Sequence, residues 1–149
     1  MKTIFEAKIK ISSSISELDA SGLTLGEEEK NESEVSGFYH FFEDKILINY
    51  SEDSEGGRTN TEIEVSGDSV KVKRDGAIES ELLFIEGQTV TSLYKIPPYV
   101  FDARLTTKKI RRNLTREGGS LDLHYRMNIG GADKAARMKI WIYPHSKQI

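Results

Sequence analysis

Cysteine is absent from the 149 residues. That excludes disulfide staples, thiol nucleophiles, thiolate zinc sites and cysteine-held clusters. It also fits a reducing cytoplasm, the compartment expected for this chain. Histidine is scarce: His40, His124 and His145 stand far apart, with no H-x-H or H-x-x-x-H spacing. Zinc is therefore not expected. There is no G-x-S-x-G elbow, and no glycine-rich loop runs into Lys-Ser or Lys-Thr. Those gaps remove the α/β-hydrolase nucleophile and the P-loop phosphate cradle, and no catalytic residue or cofactor is expected. No apolar stretch approaches the roughly 20 residues that span a bilayer, so no membrane partner is expected. The opening MKTIFEAKIKISS alternates apolar and charged residues. A secretory signal needs an unbroken apolar run, so this segment reads as a strand.

What the chain does have is alternation. Phe5, Ala7, Ile9 and Ile11 share one face while Glu6, Lys8 and Lys10 share the other, the period of a half-buried strand. Thr59, Thr61, Ile63 and Val65 repeat the pattern, as do Ala136, Met138, Ile140 and Ile142. Between Val70 and Ile110 four such segments follow in a row: VKVKRDG, ESELLFIEG, TVTSLYKI and YVFDARLTTKKI. Gly67-Asp68, Gly87-Gln88, Gly118-Gly119 and Gly130-Gly131 punctuate the series with residues suited to tight hairpins. About ten strands result. An open sheet of that size leaves two exposed edges, so closure is favoured. The expected fold is all-β: one domain over residues 1–149, built as a single antiparallel up-and-down barrel of about 8–10 strands. Leu105 and Thr107 differ in parity from Ile110 and Leu114. A single bulge near Lys108-Lys109 would bring all four to the inner face, with Lys109, Arg111 and Asn113 outside and Arg112 inward or toward a barrel end.

Charge is divided along the chain. Residues 1–60 carry 13 acids and 6 bases, and residues 61–149 carry 11 acids and 15 bases, within a formal total of −3. Residues 12–34 read as a long acidic connection with room for a short helix at 14–20, limited by Gly22 and Gly26. A lid over a barrel mouth and an acidic metal loop are the functional alternatives, but GEEEKNESE lacks the ligand spacing of a calcium loop. Asp53 and Glu55 lie in a turn and read as solvated charge. The run from Arg104 to Arg116 holds six cations and no acid. It lacks the interleaved aromatics of a single-strand binder, so nucleic acid is not expected as a partner. The alternatives are an exposed strand guarded by charge, or one that attracts the acidic 17–34 segment.

Several spaced residues resemble the YwiB-like family, bacterial barrels of calycin (lipocalin-like) type with no assigned function. They are Tyr50-Ser-Glu52 before an acidic glycine turn; Thr59 and Thr61; Arg74-x-Gly76 with Ser80; Leu82-x-Phe84-x-x-Gly87; Tyr94 ahead of Pro97; Thr107; Gly118-Gly119; and Leu123-x-Tyr125. The family has a Thr-Pro pair and then a glycine where this chain has Ile96, Pro97, Pro98 and Val100. The resemblance implies a lipocalin-like barrel and carries no catalytic residues.

On this reading the interior binds a small, partly apolar or anionic ligand without catalysis. The expected lining is Ser80, Leu82, Phe84, Tyr94, Thr107, Leu123, Tyr125 and Met127, with Arg74 near one end. Arg74 shares the parity of Val70 and Val72, and a buried guanidinium needs a partner. Tyr94, Tyr125 or a carboxylate could be that partner, and Arg74 is read either as an anion anchor or as a residue at the Asp75-Gly76 turn that is solvent-exposed or caps the barrel. The Arg-x-Tyr pair of fatty-acid-binding barrels is missing, since Tyr125 and Arg126 are adjacent and face opposite ways. A second reading is a solid barrel, filled by its own side chains, that acts as a protein-interaction module. Hydrolase or isomerase activity rests on fold analogy alone.

Overall fold

The computed structural model of the chain describes residues 3–148. Ten strands follow one another: β1 (Thr3–Leu18), β2 (Thr24–Phe41), β3 (Lys45–Ser54), β4 (Gly57–Ser66), β5 (Ser69–Gly76), β6 (Glu79–Ile85), β7 (Thr89–Ile96), β8 (Tyr99–Thr115), β9 (Gly118–Ile129) and β10 (Ala132–Gln148). Each is antiparallel to its chain neighbours, and β1 pairs with β10 to close the ring. The up-and-down barrel expected from the alternation is therefore present. Closure satisfies the backbone groups that two sheet edges would expose. No helix long and apolar enough to cross a membrane occurs among the described residues.

Period two decides which residues fill the bore. Ile9, Ile48, Ile63, Val65, Val70, Val72, Leu105, Leu121 and Ile140 are buried, and each alternates with exposed or half-exposed neighbours along most of its strand. β8 bears out the expected bulge. Its pairing with β9 runs through Thr107↔Tyr125, then resumes at Lys109↔His124 and Ile110↔Leu123, which leaves Lys108 as the extra residue. The inserted residue restores Ile110 and Leu114 to the inner face.

We call the end bearing the β2–β3, β4–β5, β6–β7 and β8–β9 turns the lower end. Tyr39, fully buried, donates its hydroxyl to the Thr115 carbonyl at 2.7 Å there, and Arg112 Nη1 donates to the Gly67 carbonyl at 2.6 Å. Arg112 thus serves a barrel end, as its parity suggested. Burial, with a smaller effect from Glu117 and against the nearby Arg112 charge, holds the Tyr39 phenol far above its ordinary value, so it remains a donor.

The acidic 12–34 segment is not a connection and has no helix at 14–20. β1 runs on to Leu18, β2 begins at Thr24, and a five-residue turn joins them. Asp19 Oδ1 accepts from the Ser21 and Leu23 amides at 2.9 Å, which organises that turn. The polar composition of the segment masked its strand character, because β1 supplies the ladder for β2 from Phe41 up to Thr24. β3 accompanies β2 only from Ile46↔Phe41 to Tyr50↔Gly37. Above Gly37, β2 therefore leaves β3 and keeps β1 as its only ladder partner.

Candidate functional site

Barrel register carries the inward residues of the upper half to one level. Arg74 on β5 lies opposite Thr61 on β4 and Ser80 on β6, and Ser80 lies opposite Tyr94 on β7. β5 and β10 are five places apart in the ten-strand ring, on opposite walls. Arg74 Nη2 nevertheless lies 3.9 Å from Met138 Sδ on β10, so the guanidinium crosses the bore. Arg74 is half-buried there, with its guanidinium turned toward the bore. No carboxylate stands within ion-pairing distance of it among the described residues.

Two phenols register its charge. Burial pushes the Tyr50 phenol up to about 12, against the lowering effect of Arg74 and with a small push from Glu52. The Tyr125 phenol is also raised by burial, again opposed by Arg74 and helped by Tyr94. Both phenols are therefore neutral donors beside a fixed cation. Beneath them Phe84 meets Tyr125 edge to face with centroids 5.0 Å apart.

The nine residues expected to line the interior all face inward, eight of them in two groups and Thr107 apart. Leu82, Phe84 and Leu123 are packed into the core and form a floor rather than a lining. Arg74, Ser80, Tyr94, Tyr125 and Met127 stand above or around it, with Tyr125 and Met127 packed against its apolar side chains. Thr107 lies opposite Tyr125 but is tied by its backbone to Gly87 and Gln88 near the lower end. The Ser80 and Thr107 hydroxyls are buried without a hydrogen-bond partner. A buried unsatisfied hydroxyl is costly and calls for an explanation.

A second polar group, on the outer face, escaped the sequence reading. Asp122 alternates outward on β9, yet its side chain is only 6% exposed. Arg137 covers it with two hydrogen bonds, Nε to Oδ1 at 3.0 Å and Nη2 to Oδ2 at 2.8 Å, and His124 Nε2 lies 3.3 Å from Oδ1. The Arg137 hydrogen bonds, with the charges of Arg137, His124 and Lys139, hold the carboxyl below its ordinary 3.8 despite burial. The register Lys139↔Asp122 and Arg137↔His124 was the signal that could have found it. Because the folded value is depressed, the stabilisation is present above 3.8 and is lost as the pH falls through the lower value. In urea melts, the stability advantage of the native chain over Asp122→Asn is expected to hold from pH 7 to 5 and shrink below 3.8. An advantage independent of pH would show that the charge of Asp122 contributes nothing.

Among the described residues no three His, Asp or Glu side chains gather as metal ligands would. The basic run lies on β8, with Arg104, Lys108, Lys109 and Arg111 exposed. Among the described residues no ion pair joins it to the acidic hairpin arm, whose Glu34 and Glu28 pair with Lys8 and Lys30 instead.

Comparison with known proteins agrees with this architecture. The family model described as a domain of unknown function, DUF1934, matches residues 9–142. The uncharacterized beta-barrel protein YwiB of Bacillus subtilis (strain 168) is 30% identical over 105 residues, which span 70% of this chain and 74% of that protein. The crystal structure of the ywiB protein from Bacillus subtilis matches with a TM-score of 0.82 at 25% identity, covering 96% of this chain and 94% of that one.

Proposed function

The chain belongs to the DUF1934 family, and from that premise we propose that the upper half of the barrel holds a small organic anion. The observation that carries this reading is the Arg74 guanidinium, which crosses the bore without a carboxylate partner among the described residues. A guanidinium near apolar walls is screened poorly by water, and its fork matches a carboxylate, sulfonate or phosphate. Tyr50 and Tyr125 are neutral phenols beside it, able to donate to the same anion. A small apolar body would rest beside the partly buried Tyr125 and Met127, above the closed packing of Leu82, Phe84 and Leu123. No step of bond making is part of this reading, and a calycin-type ligand barrel in the cytoplasm is the setting it belongs to.

The lower half supports the second reading. There the bore is filled by side chains that are almost wholly buried, and Tyr50, Thr61, Ser80 and Met138 around Arg74 are buried as well, as in a solid barrel that acts through its surface.

Arg74→Met separates the two. Met keeps much of the stem and removes the charge. Titration with the fluorescent sulfonate 1-anilinonaphthalene-8-sulfonate is expected to show affinity about tenfold weaker than for the native chain. Stability in urea is expected to change by less than about 1 kcal/mol, because no buried carboxylate loses its partner. Unchanged sulfonate affinity would remove Arg74 as the anchor. A fall of several kcal/mol in stability would assign Arg74 a structural role.

A further inference from the structure

The barrel wall is thin at one place. β5 and β6 pair along all of β6 but its first residue, from Arg74↔Ser80 to Ser69↔Ile85. β6 and β7 are joined by a tight turn, yet they pair only at Glu79↔Lys95 and Ser80↔Tyr94. Below that point β7 keeps its ladder with β8, from Ile96↔Tyr99 to Thr89↔Thr106. β7 is therefore held away from β6 by an ordered neighbour and has not frayed. The turn at the foot of the gap is tied to β8 as well. The Gly87 amide donates to the Thr107 carbonyl at 2.8 Å, and the Thr107 amide donates to the Gln88 carbonyl at 3.1 Å. These bonds adjoin the β8 bulge at Lys108, where the ladder with β9 is interrupted. The bulge and the foot of the gap are thus neighbours, and the Thr107 bonds carry the β7–β8 ladder on into the turn.

A groove of about 680 Å³ lies over this gap. Its lining mixes outward residues, among them Lys73, Leu83, Leu93 and Lys95, with the inward Arg74 and Ser80. The groove thus touches Arg74 and Ser80, two residues of the upper bore. Ser80 is 8% exposed, and its buried hydroxyl has no partner. The rim carries both signs of charge, with Lys71, Lys73 and Lys95 standing among Asp75, Glu79 and Glu81. Lys71 is occupied by Glu64 and Glu81, whereas Lys73 and Lys95 take part in no ion pair among the described residues. The volume is within the range of small-molecule clefts.

We propose that the gap between β6 and β7 is the doorway through which a small organic anion reaches the barrel interior. Its ligand has one carboxylate, sulfonate or phosphate group on a short apolar body. The anionic group passes between Lys73 and Lys95 and seats on Arg74 and the Ser80 hydroxyl, while the body slides past Leu83 and Leu93. This inference rests on the Arg74 reading above and adds the route and the second contact.

Extending the register beyond Ser80↔Tyr94 sets Leu83 opposite Thr91. The chain has no cysteine of its own, so Leu83→Cys with Thr91→Cys gives a single defined pair. Oxidation, or a short bis-maleimide where oxidation alone does not join the thiols, closes the gap. Stopped-flow association of 1-anilinonaphthalene-8-sulfonate is the readout. Closing the pair is expected to slow association at least tenfold while leaving equilibrium affinity within about twofold, and reducing the disulfide should restore the rate. Lys73→Glu with Lys95→Glu, which needs no crosslink, is expected to slow association at low salt and to converge with the native rate at high salt. A closed gap with native association rates overturns the doorway. If Arg74→Met still weakens binding in that case, the anchor stands and the ligand enters by the upper mouth. If the closed gap slows association but Arg74→Met binds normally, the doorway stands and the anchor is lost. No saturable binding to the native chain overturns both.

Discussion

Leu123→Ala is expected to lower folding stability by about 2–5 kcal/mol, read from the shift of a urea melt. Leu123 is wholly inaccessible to solvent. It faces inward on β9 between Ile110 on β8 and Met138 on β10. Truncation removes apolar surface from the core and leaves a cavity that a closed barrel collapses poorly, because hydrogen-bonded ladders hold each wall at its spacing. The position also tests the bulge. Without the extra residue Lys108, Ile110 would turn outward and Leu123 would lose a neighbour. A loss below about 1 kcal/mol would mean that the faces of β9 are reversed.

Gly37→Val is expected to be nearly as damaging, at the upper end of about 1–3 kcal/mol or beyond it. Gly37 ends the β2–β3 ladder, where β2 departs from β3. A Cβ there would run into the Asn49 carbonyl oxygen, and it would lie 2.7 Å from Ile9 Cδ1 and 3.1 Å from Tyr50 Cβ. The Asn49 carbonyl is backbone and Tyr50 Cβ sits at the root of its side chain, so only the Ile9 tip can swing aside. The sign of the milder change is also informative. Gly→Ala at an unstrained position gains about 0.4–1 kcal/mol by restricting the unfolded chain. Gly37→Ala should instead destabilise, and a stabilised variant would show that β2 and β3 do not approach so closely.

Much of the fold could be read directly from residue order. Inward and outward assignments on β4, β5, β6 and β10 followed from parity alone, because one face of each strand meets the core and the other meets water. Even the β8 bulge showed itself, as a change of parity between Thr107 and Ile110. The acidic hairpin did not, because most of β2 above Val35 is exposed, so no apolar alternation marks it. Its strand conformation comes from the ladder with β1, not from burial.

The site divides in the same way. Parity placed Arg74, Ser80, Tyr94 and Tyr125 inside, but it could not say that Arg74 would reach across to Met138. That depends on the number of strands in the ring, which sets the width of the bore. Nor could parity reveal that Leu82, Phe84 and Leu123 form a floor, or that Asp122, on an outward position, would be covered by Arg137. Such facts depend on which strands become neighbours. The gap between β6 and β7 is the clearest case, since ESELLFI and TVTSLYKI read as an ordinary hairpin. Local alternation determines which way each side chain points, because a strand has only two faces. Closure of the ring decides which side chains meet and which ladder is left unmade, because the tenth strand must pair with the first and β7 keeps its ladder with β8.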